Sequence, residues 1–330
     1  MTYSPKVAAV VVTYNRKELL MECLSAIIAQ SYPLFKILII DNASTDGTEE
    51  LLQTKGIIGR DDVIYQKMAT NTGGSGGFYA GLKMVQEMQD VDWAWIMDDD
   101  TIPYSDSLES LVLKAGNYPE ASYFASCVKG ENDEPMNVPI TDLVKSENGY
   151  LYWYKHLKEG MVNICSATFV SILINKEAIK HCGLPCRDYF IWGDDFEYTR
   201  RLRTYFGNAY MVGSSWVCHK RKNAKRLDLR NENERGRIKN YYYFYRNNLI
   251  NYYLYDGAFV YLCYVLLFEA KAFGMLTCKK YRFRKFWIVQ KSIIGSLSGK
   301  GKFKRFIEGE LHHGIRDYSP MKGDNAAFDL

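Results

Sequence analysis

The chain has 330 residues, 47% apolar and 24% charged, which is ordinary for a globular protein and long enough for one α/β domain with an extension. A net charge of only +4 makes no electrostatic case for nucleic acid, and eight cysteines without paired spacing exclude a disulfide framework. Aromatic residues stand out at 15%, a level that suits sugar stacking, a membrane-interface belt or a large core.

The opening "MTYSPKVAAVVVTYNR" lacks a basic leader, so its apolar run reads as a strand and the expected setting is cytosolic and reducing. "VAAVVVTY" (7–14) is continuously apolar and β-branched, the mark of a strand covered on both faces. "RKELLMECLSAIIAQ" (16–30) sets Leu19, Leu20, Cys23, Ile27 and Ile28 at helical spacing. "FKILIID" (35–41) is a second buried strand ending on Asp41, and "NASTDGTEELL" turns at Asp46-Gly47 into a helix capped by Asp46 or Thr48. "DVIYQ" (62–66), a glycine-rich loop, a helix over about 78–89 and "WAWIM" (93–97) continue the alternation. The pattern predicts an α/β fold, a doubly wound, mainly parallel sheet flanked by helices, which binds ligands at the carboxyl ends of its strands. Further strands are expected at "YFASC", "ATFVSILI" and "AYMVG".

Thr13, Asn15, Asp41 and Asp98 to Asp100 each follow a predicted strand, so they should meet on one rim. Three adjacent carboxylates repel one another unless a cation sits among them. Asp98 and Asp100, at alternate positions, are the natural pair of oxygen ligands for Mg²⁺ or Mn²⁺ bridging to a diphosphate. A haloacid-type phosphatase would need threonine at 102 and a prenyl synthase an aspartate there, and the residue is Ile102. "NTGGSGGF" (71–78) does not fit a dinucleotide fingerprint, because Tyr79 stands where the last glycine belongs; its small residues instead let backbone approach phosphate or sugar before a helix start. "YFIWGDDFEYTRRLR" (189–203) opens a helix with Asp194 and Asp195, where the helix dipole favours the ionised form that a general base needs. Arg200, Arg201 and Arg203 follow, to pair with Glu197 or to meet phosphate. "HCGLPC" lacks a second ligand pair for zinc and reads as buried thiols. His219, in "WVCHK", gains meaning only if it reaches Asp100.

Taken in order, "VVVTYNR", "IIDNASTDGT", the triple aspartate and "DDFEYTRR" resemble family 2 glycosyltransferases with the GT-A fold, over residues 7 to about 220. "NTGGSGGF", "IWGDDFEY" and the later histidine are most similar to bacterial galactofuranosyltransferases and their rhamnosyltransferase relatives. The resemblance implies an inverting transfer from a nucleotide-diphosphate sugar through Mg²⁺ or Mn²⁺. It implies a donor site of Thr13, Asn15, Arg16, Asp41, Asn71, Gly73, Gly74, Gly76, Gly77, Asp98 and Asp99, with Asp41 on the base. Asp98, Asp100 and His219 would hold the metal, Trp192 would stack on acceptor sugar, and Asp195 would be the general base, with Asp194 the open alternative. The implied donor is UDP-galactofuranose, with dTDP-rhamnose or UDP-galactopyranose as alternatives.

The sequence divides into a catalytic part, 1–235, and a helical, aromatic and basic C-terminal extension, 236–330. "AFVYLCYVLLF" (258–268) is too short to span a bilayer, while residues 271–305 hold eleven Lys/Arg and no acid. A peripheral membrane surface, a packed helical subdomain and a homo-oligomer interface all fit that composition. Membrane contact would suit a glycan or polyprenyl-diphosphate-linked acceptor in O-antigen or capsule synthesis on the inner face of the cytoplasmic membrane. A sugar nucleotidyltransferase is disfavoured because "TYNRKE" lacks a glycine-rich loop after the first strand, and a non-catalytic scaffold because the acidic set is intact.

Overall fold

The computed structural model describes residues 4–221 and 227–313. Strand β1 (Val7–Thr13) is buried along its length, as a run with no polar face requires. It pairs in parallel with β2 (Lys36–Asp41), which pairs with β3 (Val63–Lys67), and on its other side with β4 (Trp93–Asp98). Side chains alternate across these strands and so build two cores. Val7, Ala9 and Val11 share one with Leu20, Leu24 and Ile27 of α1 (Lys17–Ile28) and with Leu52 of α2 (Thr48–Thr54). Ala8, Val10 and Val12 share the other with Phe78, Leu82 and Val85 of α3 (Gly73–Glu87).

The chain winds outward through β2 and β3 and then returns beside β1 as β4. Strand order therefore reverses between β1 and β4, which opens a crevice at their carboxyl ends. Thr13 and Asp98 end these two strands.

β5 (Thr101–Pro103), α4 (Ser107–Asn117), β6 (Tyr123–Lys129), β7 (Ile140–Thr141), β8 (Met161–Ser166), β9 (Ile172–Asn175), α5 (Lys176–Cys182), α6 (Asp194–Tyr205) and β10 (Ala209–His219) follow. The described residues form one ten-stranded sheet in the order β3-β2-β1-β4-β9-β6-β10-β8-β7, with β5 on β10. The expected doubly wound α/β sheet is present. It is parallel in its first half and mixed in its second, where β9 runs antiparallel to both neighbours.

Two local expectations are corrected. The strand expected over "ATFVSILI" begins only at Ile172, because Thr199 of α6 takes both backbone hydrogen bonds of Ala167, at 3.1 Å each. The glycine run is not a loop before a helix but the first turns of α3 itself.

Beyond the sheet lie α7 (Arg235–Ile238), α8 (Tyr241–Tyr255), α9 (Gly257–Met275) and α10 (Arg282–His313). Tyr245, Leu249, Phe268 and Val289 centre a separate apolar cluster. Glu310 ties α10 to the sheet-bearing part by accepting from the Leu184 amide at 2.7 Å. The apolar segment read as too short to span is part of a nineteen-residue helix of mean hydropathy 1.5, long and apolar enough by those measures to cross a membrane.

Candidate active site

The crevice at the β1/β4 reversal continues into a cleft of about 1120 Å³, lined by Asn15, Arg16, Asp98, Asp100, Trp192, Asp194, Asp195 and His219. Residues far apart in sequence meet there because of β10. That strand breaks register between Val212 and Trp216, then pairs antiparallel with β5 so that His219 faces Thr101. His219 Nε2 comes to 3.1 Å from Asp100 Oδ1, while Asn137 Oδ1 holds the other ring nitrogen at 2.9 Å.

The three aspartates have different surroundings. Asp99 accepts from the Thr13 hydroxyl at 2.7 Å and from Arg16 at 3.2 Å; burial nevertheless pushes it up to about 6. Burial also opposes ionisation of Asp100. The hydrogen bond and charge of His219, with the Arg16 guanidinium at 2.7 Å, outweigh it and hold that carboxyl below the usual range. Asp98 has no hydrogen-bonding or ionic side-chain partner among the described residues. Burial and the charges of Asp100 and Asp99 drive it well above the usual range. A carboxylate so placed lacks a positive charge.

Among the described residues, no three His, Cys, Asp or Glu side chains sit together as a preformed cation cage. The donor set nevertheless fits a divalent cation in kind: two carboxylates and an imidazole line the cleft, and one carboxylate has no side-chain partner among the described residues.

Asp194 and Asp195 open α6 after Gly193, whose φ of 95° is left-handed. Burial and the Asp195 charge push Asp194 up to about 8, and burial raises the half-buried Asp195. The segment before them is strained. Phe190 has φ 65° and ψ −59°, with the Ile191 amide bonded to the Tyr189 carbonyl at 2.8 Å in a tight γ-turn, and Trp192 has φ 62°. Two buried asparagines of α8 hold it: Asn247 Nδ2 lies 3.0, 3.1 and 2.7 Å from the carbonyls of Tyr189, Ile191 and Trp192, and Asn251 donates to Gly193 at 2.9 Å. Sequence reading missed both, because nothing in an aromatic helix marks which asparagine faces a loop 58 residues earlier. It also missed Arg221 and Arg237, which line the cleft.

Other expected site residues lie apart from the cleft. Asp41 is fully buried and caps its own turn, accepting from the Ser44 amide at 2.7 Å and the Tyr65 hydroxyl at 2.6 Å. Asn71 caps the Gly73 amide at 2.8 Å. Gly73, Gly76 and Gly77 serve packing: a Cβ would lie 1.9 Å from the Phe190 carbonyl oxygen, 2.2 Å from Thr72 Oγ1 and 2.4 Å from Val12 Cγ1. Gly74 alone of the four lines the cleft and has open space. The three arginines of α6 meet carboxylates, not the cleft: Arg200 with Asp256 at 2.9 Å, Arg201 with Glu197 at 3.0 Å, and Arg203 with Asp142 at 2.6 Å. Cys182 and Cys186 are buried free thiols.

The family model described as "Glycosyl transferase family 2" matches residues 8–183, more than half of the chain. The chain belongs to glycosyltransferase family 2. Its family-matched region supplies Asp98 and Asp100, whereas Asp195 and His219 lie beyond it and rest on geometry. Among family relatives, galactofuranosyltransferase GlfT1 of Mycolicibacterium smegmatis is 26% identical over 213 residues, covering 61% of this chain and 67% of that protein. Abequosyltransferase RfbV of Salmonella typhimurium is 38% identical over 101 residues, 30% of this chain and 29% of that one. The glycosyltransferase fold recurs in the crystal structure of GalNAc-T7 with UDP, GalNAc and Mn²⁺, with a TM-score of 0.61 at 14% identity, over 93% of this chain and 57% of that chain. Staphylococcus aureus TarS 1-349 matches at 0.52 and 11% identity, over 91% and 92%. The chain thus spans about two thirds of the first relative's length and a smaller part of the second.

Proposed function

We propose that the protein transfers a sugar, with inversion, from a nucleoside-diphosphate donor to a glycan hydroxyl in the cleft at the β1/β4 reversal. The observation that carries this reading is the convergence on one cleft of Asp98, Asp100 and His219 with Asp194 and Asp195. Asp195 takes the proton from the acceptor hydroxyl as its oxygen bonds to the anomeric carbon. The anomeric carbon–oxygen bond breaks on the opposite face, and its electron pair leaves with the nucleoside diphosphate. A raised Asp195 is a stronger base once ionised, and Asp194 is the alternative. Asp98, Asp100 and His219 would hold a divalent Mg²⁺ or Mn²⁺, which when bound would neutralise charge on the leaving diphosphate. Arg16, Arg221 and Arg237 add fixed positive charge along the same cleft. Trp192 offers a ring face to the acceptor sugar.

UDP-galactofuranose is the proposed donor, supported by the similarity to GlfT1; dTDP-rhamnose and UDP-galactopyranose are the competitors. The proposed acceptor is lipid-linked, used in surface-polysaccharide assembly at the inner face of the cytoplasmic membrane, with residues 1–235 as the catalytic part and 236–330 as its membrane-side extension. A panel of nucleotide sugars, assayed for nucleoside-diphosphate release with Mn²⁺ and a synthetic lipid-diphosphate acceptor, tests this. One donor turning over to a product of inverted anomeric configuration supports the reading; release from none, or retained configuration, rejects it.

A further inference from the structure

Helix α9 hides one apolar face and exposes another. Tyr261, Phe268, Ala272 and Met275 are buried against the rest of the protein. Phe259, Leu262, Leu266 and Phe273, at the same helical spacing on the opposite side, are 53–78% exposed. Helix α10 repeats the pattern, with Phe283, Trp287, Ile294 and Leu297 between 51% and 62% exposed. The two helices run antiparallel. Tyr261 meets Ser296 at 3.1 Å, Gln290 meets Glu269 at 2.6 Å, and the Phe273 and Phe286 rings lie 5.6 Å apart. That pairing sets Leu262 level with Ile294 and Phe273 level with Trp287, and no described residue covers either stripe.

Charge selects the occupant. Lys271, Lys279, Lys280, Arg282 and Lys291 are exposed on the same two helices and their turn, and residues 271–305 contain no acid. A second copy docked on this face would bring these cations up against their own counterparts. An anionic lipid surface accepts both the apolar stripes and the basic flank. Crossing the bilayer is disfavoured, because one face of α9 is already packed, with Tyr264 stacked on Tyr252 at 3.8 Å.

We propose that the α9–α10 hairpin lies in the plane of an anionic bilayer, with its outer stripes among the acyl chains and its lysines and arginines at the headgroups. This deepens the transferase reading, on which it rests only for the lipid-linked acceptor, by naming the surface that meets the membrane.

The test uses the full chain with vesicles of phosphatidylcholine, with and without phosphatidylglycerol. The protein is expected to float with the anionic vesicles and to be released by high salt, and the variant L262Q/L266Q/F273Q to bind at least about tenfold more weakly. Cys263 gives a second readout in the native chain, since it is the exposed one of the eight cysteines and sits on the outer stripe. An environment-sensitive dye there should shift to the blue with anionic vesicles. Protein left in solution, equal flotation of the variant or an unmoved dye overturns the proposal. So does a dimer, seen by light scattering, that the variant dissolves while vesicles never bind. Nucleoside-diphosphate release to a water-soluble acceptor should stay unchanged in the variant, so failure of docking and failure of the transferase reading are separately visible.

Discussion

Replacing Asn247 by alanine should disable the site from a helix that carries none of its chemistry. The Asn247 amide nitrogen has two hydrogens for three carbonyls, those of Tyr189, Ile191 and Trp192, and Arg246 fixes its orientation by donating to Oδ1 at 2.9 and 2.7 Å. The side chain is fully buried, so water does not replace the lost donors. Two buried carbonyl bonds, at about 1–2 kcal/mol each once the unsatisfied acceptors are counted, give a loss of about 2–4 kcal/mol. That is within what a fold of about 5–15 kcal/mol survives. The loop they hold contains Phe190, Trp192 and Gly193 at φ 65°, 62° and 95°, strain of about 1–3 kcal/mol at each non-glycine residue that relaxes once released. Relaxation displaces Trp192 and Asp195 but leaves Asp98, Asp100 and His219 in place. Urea denaturation should therefore show the stability loss, and steady-state kinetics a fall in kcat of at least about tenfold with donor KM within about threefold. Asn247→Asp should fare no better, since a carboxylate faces the same carbonyls without donors. Unchanged kcat in a folded Asn247→Ala protein, or unchanged stability, would show that the asparagine does not hold the loop.

Asp98→Asn should raise the metal-free melting temperature, because it removes an unpaired charge from beside two others, while calorimetry finds Mn²⁺-dependent donor binding at least about tenfold weaker. Gly77→Ala should cost about 1–3 kcal/mol by driving a methyl into Val12, whereas Gly74→Ala, with open space, should be neutral or stabilising by up to about 1 kcal/mol; paired urea melts separate them. The raised Asp194 and Asp195 give two pH signatures. Their protonated forms favour the fold, so this contribution to stability is full at low pH and is lost as pH rises from about 4 toward the folded value of about 8, a decline that Asp194→Asn should reduce in melts across that range. Burial raises Asp195, so turnover should rise with pH to beyond the ordinary carboxylate range, since only an ionised base accepts the proton; a rate that falls as pH rises through that range would contradict it.

The early fold was readable because β1 is so uniformly apolar that only a sheet centre suits it, and the strand-end rule then led from Thr13 to Asp98. The pairing of His219 with Asp100 was conditional in the sequence, since it depends on a three-residue strand and a register break in β10 that periodicity does not encode. Small residues serve close ligand approach and close helix–sheet packing alike, and only the positions of Val12 and Thr72 reveal that Gly77 and Gly76 are also required for packing. For the arginines of α6, the sequence offered Glu197 or phosphate to all three; the i,i+4 spacing suits Arg201 with Glu197, whereas Asp256 and Asp142 are distant in the chain. Asn247 and Asn251 left no trace, as polar residues in a helix give no sign of the loop they meet.

Asp195→Asn, assayed with the donor that the nucleotide-sugar panel selects, separates the chemistry from the binding. Calorimetry should find donor and Mn²⁺ affinity within about threefold of the parent, while nucleoside-diphosphate release falls by about a thousandfold or more. If the variant keeps turning over within about tenfold of the parent rate, Asp195 does not take the proton, and the chemistry assigned to this cleft is wrong.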